Sequence, residues 1–255
     1  MLLAIDIGNT NITLGLYRQD MLVATWRLAA VHERMSDEYG ILLTQLIAHR
    51  GFDPAEVREV AIASVVPTLT GTFRRVAVDY LRQEPLVVDA GVKTGVRIRY
   101  ENPRDVGADR VVDCAAVQAK YGGPACVVDF GTATTFDGIS RAGDYLGGAI
   151  APGIGIAAEA LFARASRLYR VEIAPPARAI GTNTAAAMQS GIFFGYVGLV
   201  EGLVARFRRE LGDDMKVIAT GGLAEVVAKE TAVIQYVDPW LTLDGLRIIY
   251  RMNRA

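Results

Sequence analysis

The sequence is poor in the residues that build metal cages and disulfide frameworks, with two cysteines and two histidines in 255 residues. Cys114 and Cys126 stand in apolar surroundings, without a C-x-x-C pair or a histidine at ligand spacing, which excludes structural zinc and favours a reducing, cytoplasmic setting. His32 and His49 lack both metal-ligand spacing and a G-x-S-x-G partner, and are expected on the surface. Net charge is missing too. With 27 basic and 28 acidic side chains the formal charge is −1, and no run of five like charges occurs, so nucleic acid is not expected as a partner. The opening Met-Leu-Leu-Ala-Ile-Asp has no basic region and places Asp6 inside the would-be apolar stretch, unlike a secretory signal. The longest charge-free run, residues 179–200, is interrupted by Thr182, Asn183, Thr184, Gln189 and Ser190 and has no basic flank. A buried or interface helix therefore fits better than a bilayer span, and no membrane partner is expected. Two common nucleotide signatures are absent as well: there is no G-x-x-x-x-G-K-[ST] and no G-x-G-x-x-G after a strand.

What is present is a chain that is 51% hydrophobic and 22% charged, ample for one large or two modest cores. Residues 2–7, 12–17 and 21–28 read as three antiparallel strands joined by tight turns. A helix from Ser36 to about Gly51 follows, then a strand at 60–66, a helix at 68–81 and a strand at 86–89. After a helical stretch at 111–121, the pattern restarts with strands at 125–130, 134–139 and 145–150. Helices at 155–165 and across the charge-free run, a strand at 215–219, a helix at 223–229, a strand at 233–236 and a last helix at 241–254 complete it. Asp6-x-Gly8-x-Thr10 and Asp129-x-Gly131-Thr132 each end a buried strand and open a hairpin, which points to a duplicated βββαβα half. The expected fold is α/β, with two duplicated domains, each a mixed sheet flanked by helices, at residues 1–118 and 119–255.

Asp6-Ile7-Gly8-Asn9-Thr10-Asn11 combines a strand-terminal carboxylate, a glycine that lets backbone approach closely, and hydroxyl and amide side chains. Such a turn suits a phosphate chain. Asp6 would hold hydrated Mg²⁺ rather than touch phosphate, since like charges repel; the plainer reading is an ordinary Gly-Asn hairpin. A second copy, Asp129-Phe130-Gly131-Thr132-Ala133-Thr134-Thr135, makes a clamp on a nucleoside triphosphate the better account. Thr220-Gly221-Gly222, between a strand and a helix, is placed to lie against a nucleoside or simply to start the helix. Gly107-Ala108-Asp109-Arg110 precedes a helix, so Asp109 could be a helix N-cap. It could equally be a weak base, sufficient for phosphoryl transfer where the hydroxyl loses its proton late. Trp26 and Trp240 read as packing residues, and Asp137 and Asp144 as loop or hairpin charges.

D-I-G-N-T-N at the start, G-A-D-R at 107–110, D-F-G-T-A-T-T at 129–135 and G-G-A-I-A-P-G at 147–153 together resemble the type III pantothenate kinases, over nearly the whole chain. The likeness extends to Ser64-Val65-Val66-Pro67 and to the closing segment from Asp238 to Tyr250. The hairpins alone are common to actin, heat-shock chaperones and sugar kinases. The resemblance implies two actin-like (ribonuclease H-like) domains and ATP-dependent phosphorylation of pantothenate, the first step of coenzyme A synthesis, by a cytoplasmic homodimer. It implies that Asp6, Ile7, Gly8, Asn9, Thr10, Asn11, Ile12 and Thr13 hold ATP phosphates, with Mg²⁺ at Asp6, and that Thr132 contacts ATP. Asp129 would bind a monovalent cation, potassium or ammonium. Tyr100, Gly107, Ala108, Asp109 and Arg110 would hold pantothenate, Asp109 would be the base, and Thr184 would complete the pocket. The alternatives on this fold are a non-catalytic relative that regulates transcription and a superfamily kinase for another small hydroxyl substrate. For assembly, Gly191, Gly195 and Gly198 form a small-residue stripe against which a second copy could pack, and such a dimer could present Thr184 to its partner.

Overall fold

A largely apolar run needs cover on both faces, and Leu2–Ile7, apolar but for Asp6, becomes β1, the middle strand of a five-stranded sheet in the order β3-β2-β1-β4-β5. The computed structural model describes residues 1–165 and 168–254. β2 (Asn11–Arg18) and β3 (Met21–Ala29) complete an antiparallel meander with β1. Helix α1 (Ser36–His49) then leads to β4 (Glu59–Ser64), parallel to β1, and α2 (Pro67–Leu81) leads to the short β5 (Leu86–Val87), parallel to β4. Tyr39, Leu43 and Ile47 of α1 and Leu69, Phe73 and Val76 of α2 recur at helical spacing, and they pack with Leu3, Ile5 and Ile7 of β1.

After α3 (Ala108–Lys120) the plan repeats. β6 (Ala125–Phe130), β7 (Ala133–Ile139) and β8 (Tyr145–Pro152) form a second meander, and α4 (Ile154–Arg164) and α5 (Thr184–Leu211) follow. β9 (Lys216–Gly221), α6 (Ala224–Ala228), β10 (Tyr236–Val237) and α7 (Leu241–Arg254) end the chain. The second sheet has the order β10-β9-β6-β7-β8, with β6 antiparallel to β7 and parallel to β9. Strand for strand it matches the first, which bears out the duplicated α/β fold read from the two hairpins.

The chain divides into two compact units, Met1–Ala119 with the segment from Trp240 onward, and Lys120–Pro239. The expected boundary at 118/119 therefore lies one residue away, but the last helix does not stay with the second half. Leu243, Leu246, Ile249 and Tyr250 of α7 join Leu2, Ala4 and Tyr17 of the first sheet and Val112 and Ala115 of α3 in one core cluster. The strong apolar stripe of α7 is what commits it there, at about 1.5–3 kcal/mol for each large side chain fully buried. Polar ties reinforce the docking: Arg251 Nη1 donates to Glu59 Oε1 at 2.8 Å, and Tyr17 donates to Asp244 Oδ1 at 2.9 Å. A side chain at Gly245 would overlap the carbonyl of Val112, so glycine is what lets α7 lie close to α3.

Trp26 and Trp240 pack against core clusters, and His32 and His49 are exposed, as the sequence suggested. Asp144 sits in the β7–β8 turn, where its N–H is bonded to Ser140 Oγ at 3.0 Å. Asp137 departs from the expectation of a loop charge: it is buried within β7, and Thr135 donates to it at 3.4 Å. The charge-free run also differs in extent. Its helix starts at Thr184, because Asn183 takes the cap position and accepts a bond from Ala186 N at 2.9 Å, and it continues beyond Val200 to Leu211.

Candidate functional site

Asp6, half-buried, is the penultimate residue of β1, and the chain turns back into β2 through Gly8, Asn9 and Thr10. Gly8 N donates to Asn11 O at 3.0 Å, closing the hairpin, and a Cβ on Gly8 would stand 3.2 Å from that same oxygen. Asn9, Thr10 and Asn11 are exposed at the tip. Ile7 and Ile12 are fully buried opposite one another in the ladder, so what they could offer a ligand is main chain.

The G-A-D-R segment lies in the same unit, and Val65 links it to this hairpin. Val65 N donates to Ile7 O at 3.1 Å, while its Cγ1 is 3.4 Å from where a Cβ on Gly107 would be. Gly107 is the residue whose carbonyl receives the first helical bond of α3, from Val111 N at 3.3 Å. Asp109 is thus inside the first turn, and the N-cap alternative for it falls away. Its Oδ1 accepts from Arg110 N at 2.8 Å and folds back over Gly107, where any side chain would collide with it. Burial pushes the Asp109 carboxyl above the usual carboxylate range, while the Arg110 N–H and guanidinium pull the other way. A carboxylate so placed is a better base than a free one. Ahead of it, Asn102 braces the loop by accepting from Arg104 N at 3.3 Å and donating to Asp105 Oδ1 at 2.8 Å, and Tyr100 is exposed at the loop's start.

In the second unit the half-buried Asp129 is the penultimate residue of β6, and Gly131 N donates to Ala133 O at 3.1 Å to close the tighter second hairpin. Asp129 is in parallel register with Thr220 of β9, and Gly222 N donates to Phe130 O at 3.2 Å. The Asp129 carboxylate is wedged between glycines, since a Cβ on Gly221 would lie 2.5 Å from Oδ1 and one on Gly131 would lie 3.4 Å from Oδ2. Thr132 is exposed at the tip. Its carbonyl receives Gly153 N at 3.1 Å, and a side chain at Gly153 would overlap it, so the start of α4 is seated directly on the hairpin.

Thr184 is exposed on the first turn of α5, at the mouth of an apolar groove of about 720 Å³ between α4 and α5 that Leu161, Met188 and Ile192 help to line. Gly191, Gly195 and Gly198 have open space where a Cβ would be. By length and composition α5 could cross a bilayer, yet Phe193, Tyr196, Val197, Val200 and Val204 on it belong to the core of the second unit.

The sequence model of the type III pantothenate kinase family matches residues 2–206. A type III pantothenate kinase from Moorella thermoacetica is 56% identical over 253 residues, covering 99% of this chain and 100% of that protein. The chain belongs to the type III pantothenate kinase family. A type III pantothenate kinase from Roseiflexus sp. is 53% identical over 255 residues, with both chains covered fully. Among solved structures, a Campylobacter jejuni protein described as belonging to the Baf family of transcriptional activators aligns with a TM-score of 0.63 at 20% identity, covering 99% of this chain and 98% of that one. The ethanolamine utilization protein EutJ from Carboxydothermus hydrogenoformans aligns with a TM-score of 0.57 at 15% identity, covering 97% and 89%. These two likenesses are of fold.

Against the pantothenate kinase pattern, the structure joins the first hairpin to Gly107–Arg110 within one unit and places Asp129, Thr132 and Thr184 in the other. Among the described residues no three His, Cys, Asp or Glu side chains gather as a metal cage. One carboxylate at each hairpin fits ions whose other ligands are phosphate oxygens, main-chain carbonyls and water. Sequence reasoning noted Ser64-Val65-Val66-Pro67 without giving it a role. Its work is mechanical: Ser64 Oγ accepts from Val66 N at 3.1 Å and from Thr70 at 2.7 Å, fixing the turn that presents Val65 to both motifs. Tyr196, which the sequence offers only as apolar area beside the glycine stripe, has its hydroxyl hydrogen-bonded to the buried Thr134, two positions beyond Thr132.

Proposed function

We propose that this enzyme transfers the γ-phosphoryl group of ATP to the primary hydroxyl of pantothenate, giving 4'-phosphopantothenate in the first step of coenzyme A biosynthesis. The observation that carries the reading is the match to pantothenate kinases along the whole chain, with G-A-D-R intact and its Asp109 half-buried in the first turn of α3. Asp109 accepts the hydroxyl proton late in a loose transition state, so its main contribution is to aim the attacking oxygen. Arg110 offers a guanidinium to the substrate carboxylate or the transferring oxygens. Gly107 and Ala108 give main-chain contact, and Tyr100 closes the pantothenate pocket from the loop before them.

Asp6 through Thr13 would hold the ATP phosphates, with Thr132 adding a hydroxyl. Mg²⁺, held through water at Asp6, and potassium or ammonium at Asp129 would supply charge neutralisation. The protein would act in the cytoplasm as a homodimer built on the open face of α5, in which Thr184 completes the pantothenate pocket. The groove beside Thr184 and the uncovered glycine stripe support that assembly. The test is ADP release from ATP and Mg²⁺ with and without pantothenate, in potassium and in sodium buffers. Pantothenate-dependent turnover is the expected result, and its absence in potassium would overturn the reading.

A further inference from the structure

Because the two sheets match strand for strand, each hairpin carboxylate has a counterpart in the other sheet, and so does each of its neighbours. In the first sheet Asp6 pairs with Thr13 on β2 and with Ala63 on β4. In the second, Asp129 pairs with Thr135 on β7 and with Thr220 on β9. Residues opposite one another in register share a face of the sheet, so Asp129 has a hydroxyl side chain on either hand where Asp6 has one hydroxyl and one methyl group. A further difference lies two residues back along the same face, where Ala4 pairs with Gly15 but Val127 pairs with Asp137. Asp137 and Thr220 are buried and Thr135 is half-buried. Thr135 Oγ1 donates to Asp137 Oδ2 at 3.4 Å, and a hydroxyl that uses its proton in this way keeps its lone pairs for a cation.

We infer that Thr135 and Thr220 are the residues that suit the Asp129 site to a large, weakly hydrated monovalent cation, with Asp137 as a positioning residue that acts through Thr135. This rests on the assignment of potassium or ammonium to Asp129 and of Mg²⁺ to Asp6 made above, and it supplies the reason that two copies of one hairpin take different ions. Mg²⁺ gives up water reluctantly, so a carboxylate that leaves its hydration shell in place suits it. A larger monovalent ion sheds water where neutral oxygens replace the shell, and ammonium would donate its N–H groups to the same oxygens. The first sheet offers Ala63 in place of Thr220 and Gly15 in place of Asp137, so the oxygen set is fuller at Asp129 than at Asp6. The glycines at 131 and 221 hold the Asp129 carboxylate beside it.

The test reads binding apart from turnover. The rise in melting temperature given by potassium over sodium at equal ionic strength is measured with Mg²⁺ and a non-hydrolysable ATP analogue, beside potassium and Mg²⁺ titrations of turnover. Thr220→Val removes the oxygen and keeps the shape, while Thr220→Ser keeps the oxygen. In Thr220→Val the potassium-specific rise should vanish and the potassium midpoint should climb roughly 10- to 100-fold, with the Mg²⁺ midpoint unchanged; Thr220→Ser should retain both responses. Asp137→Asn should raise the potassium midpoint in the otherwise wild-type protein and add nothing in Thr135→Val. An unchanged potassium response in Thr220→Val, a serine variant that behaves like the valine one, or an equal shift of the Mg²⁺ midpoint overturns the proposal. Pantothenate turnover by a wild-type protein that potassium does not stabilise overturns it too, and leaves the kinase reading standing. A wild-type protein without pantothenate-dependent turnover overturns the kinase reading, and this proposal with it.

Discussion

Gly221 abuts the carboxylate of Asp129, and nothing larger fits: a methyl group on its α-carbon would lie 2.5 Å from Oδ1 and 2.7 Å from the Phe130 backbone. The φ of +89° adds a conformational reason for glycine. The loop after β9 therefore positions the Asp129 carboxylate as well as leading into α6. Gly221→Ala should push that carboxylate aside and weaken apparent potassium affinity roughly 10- to 100-fold, as loss of a supporting contact at an ion site does. A potassium titration of turnover checks it, with thermal melting run alongside to confirm that the variant folds.

A second expectation follows at the ion itself. Because ATP and the carboxylates repel, turnover should require a monovalent cation that offsets the repulsion, and Asp129→Asn should abolish the requirement together with most of the activity. Equal rates in sodium and potassium buffers for the wild type would contradict it.

Asp109→Asn keeps the shape but cannot accept the proton, so turnover should fall by the ~10²- to 10⁴-fold typical of general-base loss, with pantothenate binding retained in calorimetry. Stability should move the other way. The folded-state pKa is raised by burial, so the folded protein holds this proton more tightly than the unfolded chain does. Ionising Asp109 therefore costs stability above its folded pKa, and the cost disappears as pH falls below the unfolded value. At neutral pH the Asn variant should melt no lower than the wild type. A lower melting temperature would mean that the carboxylate has a structural role.

The same shift sets a pH profile. Activity requires the ionised form, so kcat/KM should fall on the acid side around a pKa above the ordinary carboxylate range, and that limb should be missing in Asp109→Asn. A limb that persists unchanged in the variant assigns it to another group.

Gly195 has no atom within 4 Å of where a Cβ would be, so Gly195→Leu costs the isolated subunit little. If α5 pairs with its copy, the variant should become monomeric in light scattering and lose activity through Thr184. A fully active monomer would rule out a composite site.

Much of this fold was readable because its signals are local. β1, β6 and α7 were predicted with their observed bounds, since each is an apolar run or stripe with clear punctuation at its ends. The duplication was legible from two hairpins because each needs the same acid, glycine and hydroxyl chemistry. What was not legible depended on contacts remote in sequence. The partner of α7 is β1, at the other end of the chain, and periodicity says which face is apolar without saying what covers it. Asp137 looks like a surface charge in a string of residues, and only the β6–β7–β8 pairing buries it. Val65 carries no chemistry of its own, so no motif could single it out as the link between Ile7 and Gly107.

The docking of α7 has a consequence for synthesis. One face of the first sheet is completed by Leu243, Leu246, Ile249 and Tyr250, which are translated only after the whole of the second unit. Until they do, Leu2, Ala4 and Tyr17 lack part of their cover, and the nascent first half is a half-open sandwich for the whole time the second half is being made. Each unit has its own sheet, but the cover of the first is completed by a helix translated more than two hundred residues after β1.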